Sequence, residues 1–409
     1  MRRPSLFSIF LTIFIDLLGF GLVIPFLAEE ARDTFHASAF VGTLLGSSYS
    51  LMQFLFVPVW GRLSDRIGRR PVLVFSIGAT ALSMLGLGLT LAYAESVAWL
   101  FAMRVLTGIA TANLGTASAY IADITTPENR ARGMGMIGMA FGLGFILGPA
   151  FGGLLATFPI NGRHGAMACF AASGLSAINF VWVLRGLAES LPPEKRGKAL
   201  VTKRSLMPLN FALIARTLEQ PAIRRAVCVN FLIVLAFTNL DQTFRYFHKD
   251  MFQMTPLETG GAFAFIGVVA AAVQGGLMRV LVKVVSEATL VSSGAGLQAI
   301  AFLIIAVSPT VGRWMLFAGG AVLAIGNGLS QPGIAAYISK RVEPTEQGAT
   351  LSTSQSAASL ARVFGPATGG FLYGVSPYVP YVSAAIWLMI AFIIAIPLVQ
   401  YPSRSQSPI

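Results

Sequence analysis

The chain has 409 residues, is 55% hydrophobic and only 11% charged, and has a mean hydropathy of +0.72. A soluble protein is about a quarter charged, so a water-soluble globular fold is excluded. The formal net charge of +12 could suit nucleic acid, but 22 of the 29 basic residues fall on alternate connections between apolar runs, which is the positive-inside pattern with both termini cytoplasmic and not a nucleic-acid surface.

A spanning helix needs about 20 apolar residues. Runs and breaks predict twelve, at 6–28, 39–60, 72–93, 96–122, 133–157, 165–187, 224–247, 259–279, 288–308, 314–338, 347–374 and 378–400. The short alternating segments of a membrane β-barrel are absent. The expected fold is therefore an all-α membrane protein. The first run is too long for a cleavable signal, lacks a small-residue cleavage site and carries Asp16, so it reads as the first span.

Between the second and third runs, GRLSDRIGRRPVL (61–73) sets Gly61, Asp65, Arg66, Gly68, Arg69 and Arg70 into a dense, mixed-sign junction, read as a tight turn. Charges beside a bilayer are expensive and call for a reason. Cys169 and Cys228 fall in predicted spans, which leaves no disulfide framework. His36, His164 and His248 sit at separate outer ends, so no metal-ligand spacing exists.

The longest polar stretch, 189–205, carries Pro192, Pro193 and five Lys/Arg residues. It divides the chain into a six-helix half over 1–188, a cytoplasmic linker over 189–222, a second six-helix half over 223–402 and a tail over 403–409. Residues 206–220 read equally as a helix lying on the membrane face or as an ordinary connector. The halves are related: residues 117–153 align with 334–370 at a constant offset of 217, matching Ala119-Tyr120-Ile121 with Ala336-Tyr337-Ile338, Pro127 with Pro344, and Gly148-Pro149-Ala150 and Gly152-Gly153 with Gly365-Pro366-Ala367 and Gly369-Gly370. Inverted or parallel repeats of this kind place a transporter's site between halves.

Four patterns occur in order: Asp16-x-x-Gly19-x-x-Leu22 with Pro25, the junction at 61–73, Leu100-x-x-x-Arg104-x-x-x-Gly108-x-x-x-Ala112, and Gly135, Gly144, Gly148, Pro149, Gly152 and Gly153 in the fifth span. Together they resemble the twelve-span drug:proton antiporter branch of the major facilitator superfamily, and tetracycline/proton antiporter-like proteins within it. The resemblance implies two pseudo-symmetric six-helix halves, a small-molecule cargo and a monomer. It also implies that Asp65 faces the start of the eleventh helix, near Gln347–Leu351, and that Arg66 or Arg69 meets Asp123, latching the cytoplasmic side. A topology-setting loop without a gate role is the other reading. The matching loop at 276–290 lacks the aspartate. The fifth-span glycines, repeated at Gly365-Pro366, read as a hinge and seal or as close helix packing alone. Related tetracycline antiporters carry acids in the third and ninth spans; here only Asp16 matches, which argues against tetracycline and against a metal-chelated cargo.

Asp16, Arg104, Asp241, Arg245 and Arg362 lie inside predicted spans, where ionisable groups are functional candidates by default. Asp16 with Arg104 is the first pairing expected, and Asp241 with Arg245, four apart, can pair directly. Asp16, Arg104 and Asp241 are the proton-coupling candidates. Phe20, Asn113, Phe141, Asn239, Arg245, Gln274, Asn327, Gln355 and Arg362 are the cavity candidates, with interhelical bonding the alternative for each amide. No Walker-type phosphate loop is present, and no cofactor is expected beyond the proton as coupling ion. The expectation is proton-coupled export of amphipathic compounds across a bacterial inner membrane. The alternatives are an organic anion, metabolite or lysolipid as cargo, or a receptor that moves nothing; an enzyme is not expected.

Overall fold

The computed structural model describes residues 5–126, 130–196, 218–342 and 347–401. Its helices are α1 (Leu6–Phe35), α2 (Ala39–Ile67), α3 (Arg69–Tyr93), α4 (Val97–Ala110), α5 (Leu114–Ile124), α6 (Arg130–Leu155), α7 (Ala166–Gly186), α8 (Pro221–Phe252), α9 (Pro256–Ala272), α10 (Met278–Val284), α11 (Glu287–Val311), α12 (Arg313–Ser339), α13 (Gln347–Val375) and α14 (Val379–Ala395). Each of the twelve predicted runs is helical. Nine helical segments among the described residues are long and apolar enough to cross a membrane. α12 and α13 are as long but are diluted by Gly, Ser, Thr and amide residues, and within α6 the stretch Gly142–Leu155 is apolar. The interfacial-helix reading of 206–220 falls largely outside the described residues.

Several boundaries differ from the sequence reading. Apolar content marks where lipid ends, whereas a helix continues until its backbone is capped. Thus α1 runs on to Phe35 and closes at His36 in the left-handed conformation (φ 52°). α2 continues through the charged junction to Ile67, so the expected turn shrinks to Gly68 alone, at φ 109°. Gly61 lies inside α2, where a Cβ would meet nothing within 4 Å, so it does not make a turn. The fourth span is broken into α4 and α5 at Thr111–Asn113, and the eighth is α9 joined to α10 through a π-turn at Val273–Leu277.

The chain forms two compact units: Met1–Pro208 with Thr255–Gly261, and Leu209–Met254 with Ala262–Ile409. In the first, α1 packs on α6 and α7, and α3 on α4 and α7. In the second, α8 packs on α13 and α14, and α11 on α12 and α14. Outward faces carry exposed Leu82, Trp99, Ile178, Val268 and Val375, a surface that would aggregate in water and is suited to lipid.

The sequence repeat reappears as packing. On α6, a Cβ at Gly148 would stand 2.5 Å from Gly21 Cα, and one at Gly144 would stand 3.0 Å from the Leu17 carbonyl carbon; Gly152 closes on Leu22. On α13, Gly365 closes on Thr238, and a Cβ at Gly369 would stand 2.5 Å from Asn239 Oδ1. Gly148 and Gly365, Gly21 and Thr238, Gly152 and Gly369, and Leu22 and Asn239 are each related by the offset of 217. Removing side chains lets backbones approach closely, which drives helix association in lipid. Pro149 and Pro366 sit inside these helices. Gly153 packs on Gly260 at the start of α9, both within the first unit. Cys169 is buried, but Cys228 is exposed on α8, and both are free thiols. His248, expected near an outer rim, is fully buried against Phe244.

Candidate functional site

A break in a membrane helix frees carbonyls that lipid cannot satisfy. At the α4–α5 break, side chains from α2 and α3 reach those carbonyls. Trp60 Nε1 donates to Ile109 O at 2.6 Å, Ser76 Oγ to Ala110 O at 2.5 Å and Gln53 Nε2 to Thr111 O at 3.4 Å. The Thr111 hydroxyl donates to Tyr49 Oη at 2.8 Å, and Phe20 on α1 lies against the Tyr49 ring at 4.8 Å. The break is thus a built feature of the first unit, and it puts Asn113 ahead of α5 with its amide turned inward.

Asp16 meets that amide. Asn113 Nδ2 donates to Asp16 Oδ2 at 3.0 Å and to Ser76 Oγ at 2.8 Å. From α7, Asn179 Nδ2 lies 3.5 Å from Asp16 Oδ1 and donates to Thr12 O at 3.3 Å. The Asp16 side chain is half-buried, and its bonded partners are neutral amides. The expected pairing with Arg104 is not formed. Arg104, 1% exposed, donates from Nε to Leu45 O at 3.3 Å and stacks over the Tyr49 ring at 4.4 Å. Its Nη1 is buried without a hydrogen-bond partner. The reason is positional: α4 turns Arg104 toward α2, whereas Asp16 faces α5 and α7.

The second unit carries the other intramembrane charges. Asp241 accepts from Gln242 Nε2 at 2.9 Å, and Arg245 donates to Met254 O at 2.6 Å. These two residues, four apart, therefore reach different partners. Asn239 is fully buried and donates to Pro380 O at 3.2 Å. It joins α8 to α14, which is the interhelical-bonding alternative for this amide. Arg245 is likewise buried, at 2% exposure. Gln274, in the π-turn, and Gln355 are exposed, while Asn327 and Arg362 are half-buried; Arg362 donates to Ser359 Oγ at 3.2 Å. The side chain of Phe141, like that of Pro25, lies outside what the structure describes, as does the surrounding of Gly135.

At the α2–α3 junction, Arg69 is the hub. Its Nη1 pairs with Asp65 at 2.6 Å and bonds Ser64 Oγ at 2.7 Å, and its Nε pairs with Asp123 at 3.1 Å. Arg69, not Arg66, meets Asp123; Arg66 is exposed. Glu189, which the sequence reading left in the linker, accepts the backbone N–H of Arg69 at 2.9 Å and of Arg70 at 3.2 Å. A carboxylate at a helix N-terminus satisfies unpaired N–H groups and the helix dipole together. Arg70 Nη2 donates to Leu184 O at 2.7 Å, tying the end of α7 to the same corner. A Cβ on Gly68 would strike the Glu189 carboxylate.

Asn179, Ser76, Tyr49 and Glu189 were not singled out from sequence. Each is one polar residue in an ordinary stretch, and its partner lies far along the chain. Among the described residues no three His, Cys, Asp or Glu side chains group as metal ligands would.

A family model, Major Facilitator Superfamily, matches residues 9–311 and 280–408. The chain belongs to this superfamily. Tetracycline resistance protein, class C, of Escherichia coli is 31% identical over 94% of this chain and 91% of its own length. Major facilitator superfamily domain-containing protein 10 of Mus musculus is 28% identical over 91% of this chain and 88% of its own. The crystal structure of the human organic anion transporter MFSD10 (TETRAN) superposes with a TM-score of 0.70 at 25% identity, covering 96% of this chain and 100% of that one. A bacterial homologue of the lysosomal transporter Spinster, inward-facing and unoccupied, gives a TM-score of 0.77 at 16% identity over 97% of both chains, which speaks for the fold alone. The protein is thus a multi-pass membrane transporter of the major facilitator fold, with twelve transmembrane helices in two six-helix halves, and not an enzyme.

Proposed function

We propose that the protein exports amphipathic organic compounds from the cytoplasm in exchange for protons, by alternating access, as a monomer in a bacterial inner membrane with both termini cytoplasmic. The observation that carries this is the Asp16 node. A half-buried carboxylate in mid-span is held by neutral amides from α5 and α7, so no cation has to be pulled from it when it takes up a proton. Intramembrane carboxylates of this kind mark proton relays. Asp241, held by the Gln242 amide, is the second candidate of the same chemistry. Arg104 orders the wall beside Asp16 through Tyr49 and carries no proton itself, since a guanidinium does not deprotonate. The tetracycline resistance relatives fit an exporter of this type.

A second reading, an organic anion as cargo, is favoured by Arg362, a half-buried guanidinium inside a predicted span that donates to the neutral Ser359 hydroxyl. The MFSD10 likeness agrees with it.

Reconstituted vesicles with an internal pH dye and an imposed proton gradient test both. Cationic, neutral and anionic amphiphiles and lysolipids are screened. Substrate-dependent proton flux that disappears in Asp16→Asn is the expected result. Flux that persists in Asp16→Asn removes Asp16 as carrier, and substrate movement with no proton flux at all overturns the coupled reading.

A further inference from the structure

α13 has three unlike faces. Ala358 and Ala361 are buried in one apolar cluster with Val234 and Leu235 of α8. Leu360, Phe364, Phe371 and Val375 are exposed, a side suited to lipid. The third face is polar. Ser352, Gln355, Ser359 and Arg362 recur at i, i+3, i+7 and i+10, which is one helical stripe. Ser352 and Gln355 are exposed, Ser359 and Arg362 half-buried. At 3.6 residues per turn the stripe lies roughly 150° around the helix from the exposed apolar side. An exposed polar stripe at membrane depth is tolerated where it borders water, not lipid. The repeat does not demand it: the equivalent positions on α6, 217 residues earlier, are Gly135, Gly138, Gly142 and Phe145.

We infer that Arg362 and Ser359 form an anion-binding subsite on this watery face of α13, which takes the carboxylate, sulfonate or phosphate group of an amphipathic cargo. Arg362 is the one charged residue of α13 and stands in mid-span. A guanidinium presents its N–H donors in a planar fork that matches such oxyanions. Ser359 Oγ accepts from Arg362 Nη2 at 3.2 Å, which leaves the Ser359 O–H to donate beside it. Ser356, the next hydroxyl on the helix, differs: it donates to Ser352 O at 2.9 Å, inside its own helix. A cation at membrane depth is costly, and an arriving oxyanion offsets that cost. The subsite deepens the organic-anion reading given above and rests on it. It does not depend on whether Asp16 carries the proton.

The test uses full-length protein in lipid nanodiscs at low salt, carrying Gln355→Cys as a reporter on the same face and Cys228→Ser to remove the exposed native thiol; Cys169 is buried. Residue 355 lies about 10 Å along the axis from Arg362. At that distance a unit positive charge favours a singly charged anionic thiosulfonate over a cationic one by about fourfold in water, relative to their rates with a free thiol. Arg362→Lys should keep this preference and Arg362→Gln should abolish it. Naphthalene-1-sulfonate should slow labelling by uncharged N-ethylmaleimide, and should no longer do so in Arg362→Gln.

If Arg362→Gln does not fold, Ser359→Val serves. It removes one donor and keeps the charge, so the reagent preference should stay while the sulfonate concentration for half-protection rises about tenfold or more. Three results overturn the inference: no labelling of the folded protein, a charge preference that survives Arg362→Gln, or sulfonate protection that is absent or is unchanged in the Arg362→Gln or Ser359→Val variant. The vesicle screen decides the cargo separately. Anion transport there without charge preference here overturns the subsite alone and leaves the organic-anion reading standing. Charge preference and protection here, with no anion moved there, keep the subsite and remove that reading.

Discussion

Asp123 and Lys340 occupy equivalent places in the two halves, 217 residues apart, and close equivalent ion pairs with their charges exchanged. Asp123, at the end of α5, pairs with Arg69, the first residue of α3. Lys340, at the end of α12, pairs with Glu287, the first residue of α11. The exchange means that a helix end from one half would meet a like charge at the helix start of the other, which disfavours mispairing of repeated segments. The two pairs differ in burial. The Arg69 side chain is 9% exposed and has three bonded side-chain partners, whereas Lys340 is 57% exposed.

That difference sets a first prediction. Arg69→Ala strips a buried guanidinium from two carboxylates and a hydroxyl, and should cost about 1.5–3 kcal/mol, the range for hydrogen bonds to charged groups. Lys340→Ala should cost roughly 0–1 kcal/mol, as an exposed pair does. Thermal unfolding in one detergent compares them. Equal losses would mean that burial does not decide the strength of these pairs.

A second prediction concerns the glycine face of α6. Gly148→Ala places a methyl 2.5 Å from Gly21 Cα, against backbone that cannot step aside. It should destabilise by about 1–3 kcal/mol, the cost of overpacking. Gly142, on the same helix, has nothing within 4 Å of a Cβ, so Gly142→Ala should be neutral or stabilise by about 0.5–1 kcal/mol. The unfolding temperatures of the two variants check this pair. A Gly148→Ala protein as stable as the parent would show that α1 and α6 are not held at this distance.

The spans were legible because lipid imposes one rule on every segment that crosses it, and the glycine spacing of α6 and α13 was legible because it repeats. The break at Thr111–Asn113 was not. Thr-Ala-Asn contains no proline or glycine, and what stabilises the break comes from residues 34 to 58 positions away: Ser76, Trp60 and Gln53. Asn113 was picked out as a cavity residue, yet its bond to Asp16 spans 97 positions, and that of Asn179 spans 163. Only folding reveals such contacts. The pairing of Asp16 with Arg104 failed for the same reason: opposite charges in two spans attract on paper, but helix rotation places one toward α5 and α7 and the other toward α2. Arg69 with Asp123 succeeded because both sit at helix ends on one side of the membrane, where rotation restricts long side chains less.

A third prediction follows from the Arg69 hub. Asp65→Asn removes one of two carboxylates on Arg69 but leaves Asp123 at 3.1 Å and Ser64 at 2.7 Å. Asp65 is itself over a third exposed, so the loss of stability should be within about 1 kcal/mol. If the junction serves only to fix topology and fold, transport should then be unchanged. If Asp65 also acts in the cycle as a latch on the cytoplasmic side, turnover should fall several-fold at nearly unchanged unfolding temperature, and a cysteine placed beside the junction should react faster with a water-soluble thiol reagent. The latch is the expected outcome, because a carboxylate 37% exposed beside a saturated Arg69 contributes little to holding the fold. Parental turnover and parental cysteine reactivity together would assign the whole junction to structure.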